Sequence, residues 1–467
     1  MLRFVLNALC ALGESSNFLE SEEVDLNPST RDRIAISENR RYLVEVSTGQ
    51  PFFYLADTAW ELFHRLNRDE TLRYLTDRAS KRFTVIQAVA LAELDGLNVP
   101  NRFGHVPFLD LDPSRPNEPY WEHVDWVIAT ARTMGLRIGL LPTWGDKWNK
   151  GMSVGTELFL TAESAYAYGK WIGTRYRDAG VIWILGGDRR VESDLHREII
   201  RAMARGIRES DNGNGLMTFH PNGGSGSSDY FPGEEDDWLD FHMWQSGHHR
   251  NSRNYDLITR DWCRQSPVKP VLDGEPGYED HPSGFKLENG YLEAYDCRKA
   301  LYWSLFAGAC GHTYGCHPIW QMWSPRHIPI SFCRRDWIEA LSLPGSAQMQ
   351  HARSLLESRP YFSRIPDQSL IVSENKSDAY HVRASRDQNG SYALIYLPYY
   401  TPVEIDLSCL SGKTINTWWF DPRNGISRFM GTIQNSRTAH KFEPPVSEGP
   451  DWVLVLDDAA CGFKRPG

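Results

Sequence analysis

None of the eight cysteines is spaced as Cys-x-x-Cys, so the sequence carries neither an obvious zinc ribbon nor a dithiol redox motif. Cys10, Cys263, Cys297, Cys310, Cys316, Cys333, Cys409 and Cys461 are scattered, and one or two disulfides among them stay open. No apolar run approaches the roughly 20 residues of a membrane-spanning helix, so no membrane partner is expected. Basic charge is in deficit: 50 Lys and Arg stand against 60 Asp and Glu, a formal net charge of -10. That sign repels a phosphate backbone, and nucleic acid is not an expected partner. No Gly-x-Gly-x-x-Gly follows the first candidate strand, which disfavours a doubly wound dinucleotide-binding sheet. Fixed-period repeats and low-complexity tracts are also missing, and nothing in these patterns calls for a cofactor.

The start of the chain is ambiguous. Leu2 to Gly13 holds one basic residue, Arg3, followed by an apolar stretch, but that stretch is short, Asn7 interrupts it, and no small-x-small cleavage site follows. Cytoplasmic and secreted locations both stay open. The sequons at Asn375 and Asn389 matter only in the second case. Oligomeric state is not legible.

Aromatic residues, by contrast, are plentiful: 17 Trp, 20 Tyr and 20 Phe in 467 residues. Sugar rings stack their apolar faces on such side chains, although a large aromatic core gives the same composition.

Along most of the chain, short apolar runs alternate with amphipathic stretches. The runs are Pro51–Asp57, Phe83–Val89, Arg137–Pro142, Val181–Gly186, Leu216–His220, Asp240–Trp244, Pro270–Glu275 and Ala309–Tyr314. Helical spacing marks Trp121–Met134, Thr161–Ala179, Glu198–Glu209 and Tyr291–Ala307. Eight strand–helix units in about 300 residues predict an α/β fold, a (β/α)8 TIM barrel. After residue 350 the texture becomes strands and turns, as in Ser391–Leu397, Thr414–Trp419 and Trp452–Leu456, which predicts a small C-terminal β-sandwich domain. The expected division is an extension over 1–34, a barrel over 35–350 and a sandwich over 351–467. A β segment near Ala35–Val46 is expected to pair with the sandwich or cover the barrel floor.

In such barrels the chemistry sits at the C-terminal ends of the strands. Those ends carry Asp57 and Trp60, Gln87, Trp144, Asp188 and Arg189, His220, Trp244 and Gln245, Glu275 and Tyr278, then His312 and Tyr314. Asp188 after the fourth strand and Glu275 on the seventh stand where two carboxyls approach across a barrel mouth. That is the pair a retaining glycosidase needs, one as general acid/base and one as nucleophile. A strand-end acid also often caps a helix or pairs with an arginine, and Arg189 and Arg190 are at hand for Asp188. The remaining strand-end residues are read as substrate-binding: Asp57 for a sugar hydroxyl, Trp60, Trp144, Trp244 and Tyr278 for stacking. Glu279 is read as holding the Glu275 loop, and Glu93 and Asp95 as simple loop residues.

Phe53–Trp60, Trp183–Asp188 and Asp273–Glu279 resemble the apiosidase-like glycoside hydrolases, over about residues 35 to 350. Trp418–Gly425 resembles the collagen-binding-type domain often appended to them. The resemblance implies a TIM barrel, a retaining mechanism, and the acid/base and nucleophile roles on Asp188 and Glu275. Most of the wider clan carries Asn-Glu at the fourth strand, where this sequence has Gly187-Asp188.

Rival readings are weighed beside this one. A metal-dependent barrel hydrolase could gather His220, His242, His248 and His249, but no His-x-His lies near the first strand. A non-catalytic carbohydrate-binding protein would not need both acids. Gly151–Gly155 matches Gly-x-Ser-x-Gly, yet a polar run precedes it where a nucleophile elbow needs a buried strand.

Overall fold

The computed structural model describes residues 33–151, 155–445 and 449–467. The Leu2–Gly13 stretch, Cys10 and the middle of the Gly151–Gly155 motif lie outside the described residues.

The chain builds a (β/α)8 barrel followed by a β-sandwich domain. The barrel strands are β1 (Tyr54–Thr58), β2 (Val85–Val89), β3 (Arg137–Leu141), β4 (Ile182–Gly186), β5 (Met217–His220), β6 (His242–Gln245), β7 (Val271–Asp273) and β8 (Gly311–Tyr314). Their parallel ladders run β5-β4-β3-β2-β1-β8-β7-β6. Between β5 and β6 the ring closes through Asp240 N–H to the Met217 carbonyl (2.8 Å) and Thr218 Oγ1 to the Phe241 carbonyl (2.7 Å). Every residue of β1, β2 and β4 is buried, which is why these strands read as continuous apolar runs rather than alternating ones.

The principal helices are α1 (Arg68–Ser80), α2 (Glu118–Thr133), α3 (Ala162–Arg175), α4 (Asp194–Ser210), the single turn α5 (Ser227–Tyr230), α6 (Asn254–Trp262), α7 (Ala294–Phe306) and α8 (Pro344–Glu357). Local chemistry starts several of them. Asn67 and Glu70 form a reciprocal capping box on α1, and the side chains of Thr161 and Ser193 cap α3 and α4. Ile199, Ile200, Met203 and Ile207 then give α4 one buried face. Residue 350 lies inside α8.

A hairpin of Ile34–Ile36 and Leu43–Glu45 pairs with itself and lies on the barrel floor. Its Arg40 reaches the Val268 carbonyl (2.9 Å), and Arg41 sits 4.3 Å over the Trp262 ring.

The C-terminal strands are β9 (Arg364–Pro366), β10 (Arg383–Asp387), β11 (Tyr392–Leu397), β12 (Val403–Asp406), β13 (Thr414–Asp421), β14 (Ile426–Gln434), β15 (Ala439–Phe442) and β16 (Trp452–Asp458). A six-stranded sheet, β9-β10-β11-β16-β13-β14, faces the pair β12–β15. Side chains alternate across the large sheet. Ala393, Ile395, Leu397, Leu454 and Leu456 fill the sandwich, while Tyr392, Leu394, Tyr396, Val453 and Val455 join the barrel's own core.

Among the described residues no helix is long and apolar enough to cross a membrane, and the seven described cysteines are free thiols.

Candidate active site

The loops after the strands enclose a cavity of about 600 Å³ whose lining includes Trp60, Trp144, Asp188, Gln245, Glu275 and Tyr278. Its base is aromatic. Trp60 and Trp144 lie 5.2 Å apart, and both rings pack against His220, at 5.4 and 6.0 Å.

Asp188 is placed by an unusual piece of backbone. Gly186, Gly187 and Asp188 all have positive φ, at 96°, 105° and 55°. A Cβ on Gly186 would come within 2.4 Å of the His220 carbonyl, and one on Gly187 within 2.7 Å of the Gly145 nitrogen. The two glycines thus pack the end of β4 against its neighbours; the close approach they allow is to backbone, not to a ligand. Aspartate tolerates the left-handed region better than most residues, which fits it to the third position.

Glu275 follows β7 and is gripped from two sides. His248 Nε2 lies 3.1 Å from Oε1, and His220 Nε2 lies 2.9 Å from Oε2. The Asp188 N–H donates to His220 Nδ1 (3.3 Å). That makes Nδ1 the acceptor and leaves the His220 proton on Nε2, facing the carboxylate. Gln87 supports the same segment from inside the barrel, its Nε2 donating to the Gly274 carbonyl (3.0 Å).

The two carboxyls are pushed apart in acidity. Burial, and then the charge of Glu275, raise Asp188 to about 6, against the pull of His220 and Arg189. Burial also acts to raise Glu275, but the two imidazoles outweigh it and hold the carboxyl well below its usual range. At slightly acid pH one group is a proton donor and the other an anion, the division of labour a pair of catalytic carboxyls requires.

A model of the family described as "Apiosidase-like, catalytic domain" matches residues 37–363. The chain belongs to the apiosidase-like glycoside hydrolases. A second model, described as "Putative collagen-binding domain of a collagenase", matches residues 365–457. Among solved structures, one titled a glycoside hydrolase is 33% identical, with a TM-score of 0.83 over 93% of this chain and 98% of that one. A glycoside hydrolase family 5 structure from Bacteroides vulgatus is 32% identical, with a TM-score of 0.83 over 93% and 95%. No curated protein matches the sequence.

Not every strand-end residue of the apiosidase-like barrel reaches the cavity. Asp57 is fully buried on the outer face of β1, where its Oδ2 accepts from Tyr74 (2.6 Å) and Arg78 (2.5 Å) of α1. Trp244 also points outward, its indole N–H donating to Asp261 of α6 (2.7 Å). His312 meets Ser304 of α7 (2.9 Å), and Tyr314 donates to Glu279. Those four are therefore not in position to touch a sugar, and Gln87 acts through Gly274. Arg189 lies behind Asp188, its Nη1 bonded to the Asp188 carbonyl (2.8 Å) and 3.7 Å from Oδ2. Glu279 ties the Glu275 loop to α8 through the Gly345 N–H (3.1 Å).

Other lining residues were not singled out for the site by the sequence: Glu93, His281, Phe285, Trp320, Ile330 and Ser331. Trp320 ends a one-turn helix and Phe285 a short 3-10 turn, while the others sit on loops, and none belongs to a periodic pattern. His248 also lines the cavity. The sequence raised it as a metal ligand, whereas its Nε2 faces Glu275. Among the described residues no cluster of His, Cys, Asp and Glu is arranged to hold a metal ion.

Proposed function

We propose that this glycoside hydrolase acts with retention of anomeric configuration, Glu275 attacking as nucleophile and Asp188 serving as general acid/base. The observation that carries the reading is the opposed acidity of two carboxyls lining one cavity. In the first step Asp188 gives its proton to the leaving oxygen while Glu275 bonds to the anomeric carbon. In the second, the Asp188 carboxylate takes a proton from water, which displaces Glu275 and regenerates both groups. His220 and His248 hold Glu275 in place, and Trp60 and Trp144 offer apolar faces to the ring.

The substrate proposed is a small terminal glycone of the apiose type, cleaved from the end of a glycan or glycoside. The enclosed aromatic base and the short loop after β6 support a pocket that receives one end of a chain, and the family's apiosidase-like character names the first sugar to try.

The test is a panel of aryl glycosides, including apioside, arabinoside, xyloside, glucoside, galactoside and rhamnoside, with the product followed by NMR in the first minutes. The expected result is a first-formed sugar of the substrate's own anomeric configuration, with kcat lost by at least about a thousandfold in Glu275→Ala. Inverted product overturns the retaining mechanism, and full activity in Glu275→Ala overturns the nucleophile.

A further inference from the structure

The cavity contains a third carboxyl for which the double displacement has no use. Glu93, on the loop after β2, lines it together with Asp188 and Glu275. Glu93 is half-buried, and the fully buried acids Asp57, Asp273 and Glu61 have partners in Arg78, in Ser246 and Asn254, and in His64. No hydrogen bond from a described residue reaches the Glu93 carboxyl. Nor is it alone. The Trp144 indole N–H, the Gln245 side-chain oxygen and the Tyr278 hydroxyl all belong to lining residues, are buried, and lack a partner among the described residues. Trp144 is 2% exposed and Tyr278 1%. Each such group goes without a hydrogen bond unless something in the cavity satisfies it.

Glu93 and Trp144 sit on adjoining strand ends. The Trp144 backbone N–H donates to the Leu91 carbonyl (3.3 Å), and packing against Trp60 fixes the indole. Burial, then the charge of Asp188, push the Glu93 carboxyl up to about 8, and Arg189 offsets this only in part. A carboxyl that keeps its proton at neutral pH both donates and accepts, as a sugar hydroxyl does.

We propose that Glu93, with the Trp144 indole, binds a hydroxyl of the sugar held between Asp188 and Glu275, and thereby selects glycones that carry a hydroxyl at that position. This rests on the glycosidase reading above. It gives the loop after β2 a role in specificity, separate from the bond-breaking pair.

The experiment compares wild type, Glu93→Ala and Glu93→Gln on the aryl glycoside that the panel shows to be hydrolysed fastest, and on its monodeoxy derivatives. On the parent glycoside, Glu93→Ala should lose about a hundredfold in kcat/KM, the effect of removing one partner of a buried hydrogen bond. Glu93→Gln, isosteric and neutral, should lose about tenfold or less. On one monodeoxy glycoside, and only one, wild type and Glu93→Ala should agree within about twofold, because the hydroxyl that Glu93 reads is gone. An equal penalty across all the deoxy glycosides, or none on the parent, overturns the assignment. If Glu93→Ala does not fold, the same comparison is made with Glu93→Gln, whose smaller loss must also vanish on a single deoxy sugar. Glu275→Ala, run alongside, reports on the nucleophile independently. Should wild type hydrolyse nothing in the panel, the hydrolytic reading fails there, and calorimetric binding of the same glycosides to the same variants decides the role of Glu93.

Discussion

The acidity that suits Asp188 to its proposed role comes at some expense to the fold. Its acidity in the folded protein, about 6, lies above the ordinary 3.8, so ionisation is disfavoured in the native state. The associated stability is present at low pH and falls as pH rises through 6. Asp188→Asn removes the charge, and asparagine accepts the same left-handed backbone. The side chain is 34% exposed, so solvent screening holds the gain to about 1 kcal/mol. The expected result is a melting temperature raised by about 1–2 °C at pH 8 and unchanged near pH 4. An equal rise at both values would show that the effect is not electrostatic. The same acidity sets the activity profile. In wild type, kcat/KM should fall as pH rises through about 6, when the acid loses its proton, whereas no acid limb should appear at the ordinary glutamate value because Glu275 is held ionised. Asp188→Asn should keep its activity best on glycosides whose leaving group needs no proton.

At this scale the sequence was informative about position along a strand and silent about direction. Strand ends were legible, and Trp60, Trp144, Asp188, Gln245, Glu275 and Tyr278 do line one cavity. Asp57, Trp244, His312 and Tyr314 occupy comparable positions yet face the helices. Successive strand residues alternate between the two faces, so Trp244 and its neighbour Gln245 part company, and no single apolar run says which of them turns inward. Glu93 was read as a simple loop residue for another reason: a lone acid on a loop has no periodicity, and only the folded ring shows what it stands beside.

Elements show the same division. The eight barrel strands were legible because each is a short apolar run, and four of the helices because their buried faces repeat at 3.6 residues. Helix α1 was not. Its buried residues, Thr71, Tyr74, Leu75 and Arg78, are largely polar, since α1 supplies the partners of Asp57. Strand β14 was missed because most of it is exposed at the sheet edge, without an apolar alternation to read. The loop from β4 to α4 carries the sharpest prediction at this level. A Cβ on Gly187 would meet backbone of Gly145 and Trp144 at 2.7 and 2.9 Å as well as the strain of a positive φ. Gly104 has a similar φ of 83° but open space around it. Both alanine variants bear the conformational strain, of order 1–3 kcal/mol. Only Gly187→Ala must also displace the Asp188 loop, and a shift of about 1 Å there is worth about a hundredfold in rate. Thermal melts and kcat/KM measured on the two variants should therefore diverge in activity far more than in stability. Equal activities would mean that the loop yields without moving the acid.

At the level of the whole molecule, the second domain is not a module on a tether. Its large sheet gives one face to the sandwich and the other to the barrel. Tyr396 stacks on Tyr302 of α7 at 4.9 Å, the Trp303 indole donates to the His381 carbonyl (2.8 Å), and Arg298 of α7 forms a two-pronged, buried pair with Asp451 (3.0 and 2.8 Å). Arg364 enters the barrel side to meet the Ala309 carbonyl at 3.1 Å, just before β8. A chain ended at residue 363 would return the aromatic side of α7 to water, at about 1.5–3 kcal/mol for each large apolar side chain exposed. A few of these are a large part of the roughly 5–15 kcal/mol by which domains are stable. The truncated barrel is thus expected to be insoluble, or to bind a hydrophobic dye without a cooperative melt, and the full chain to unfold in a single transition. The milder Asp451→Ala variant should lower the melting temperature of barrel and sandwich together. Two separate transitions in the full chain, or a truncated barrel that melts like the intact protein, would show instead that the shared core is dispensable. Since the braced helix α7 leads directly into β8, next to the strand that carries Glu275, the same variant should also weaken turnover before it weakens the fold, in proportion to how far that brace governs the mouth of the barrel.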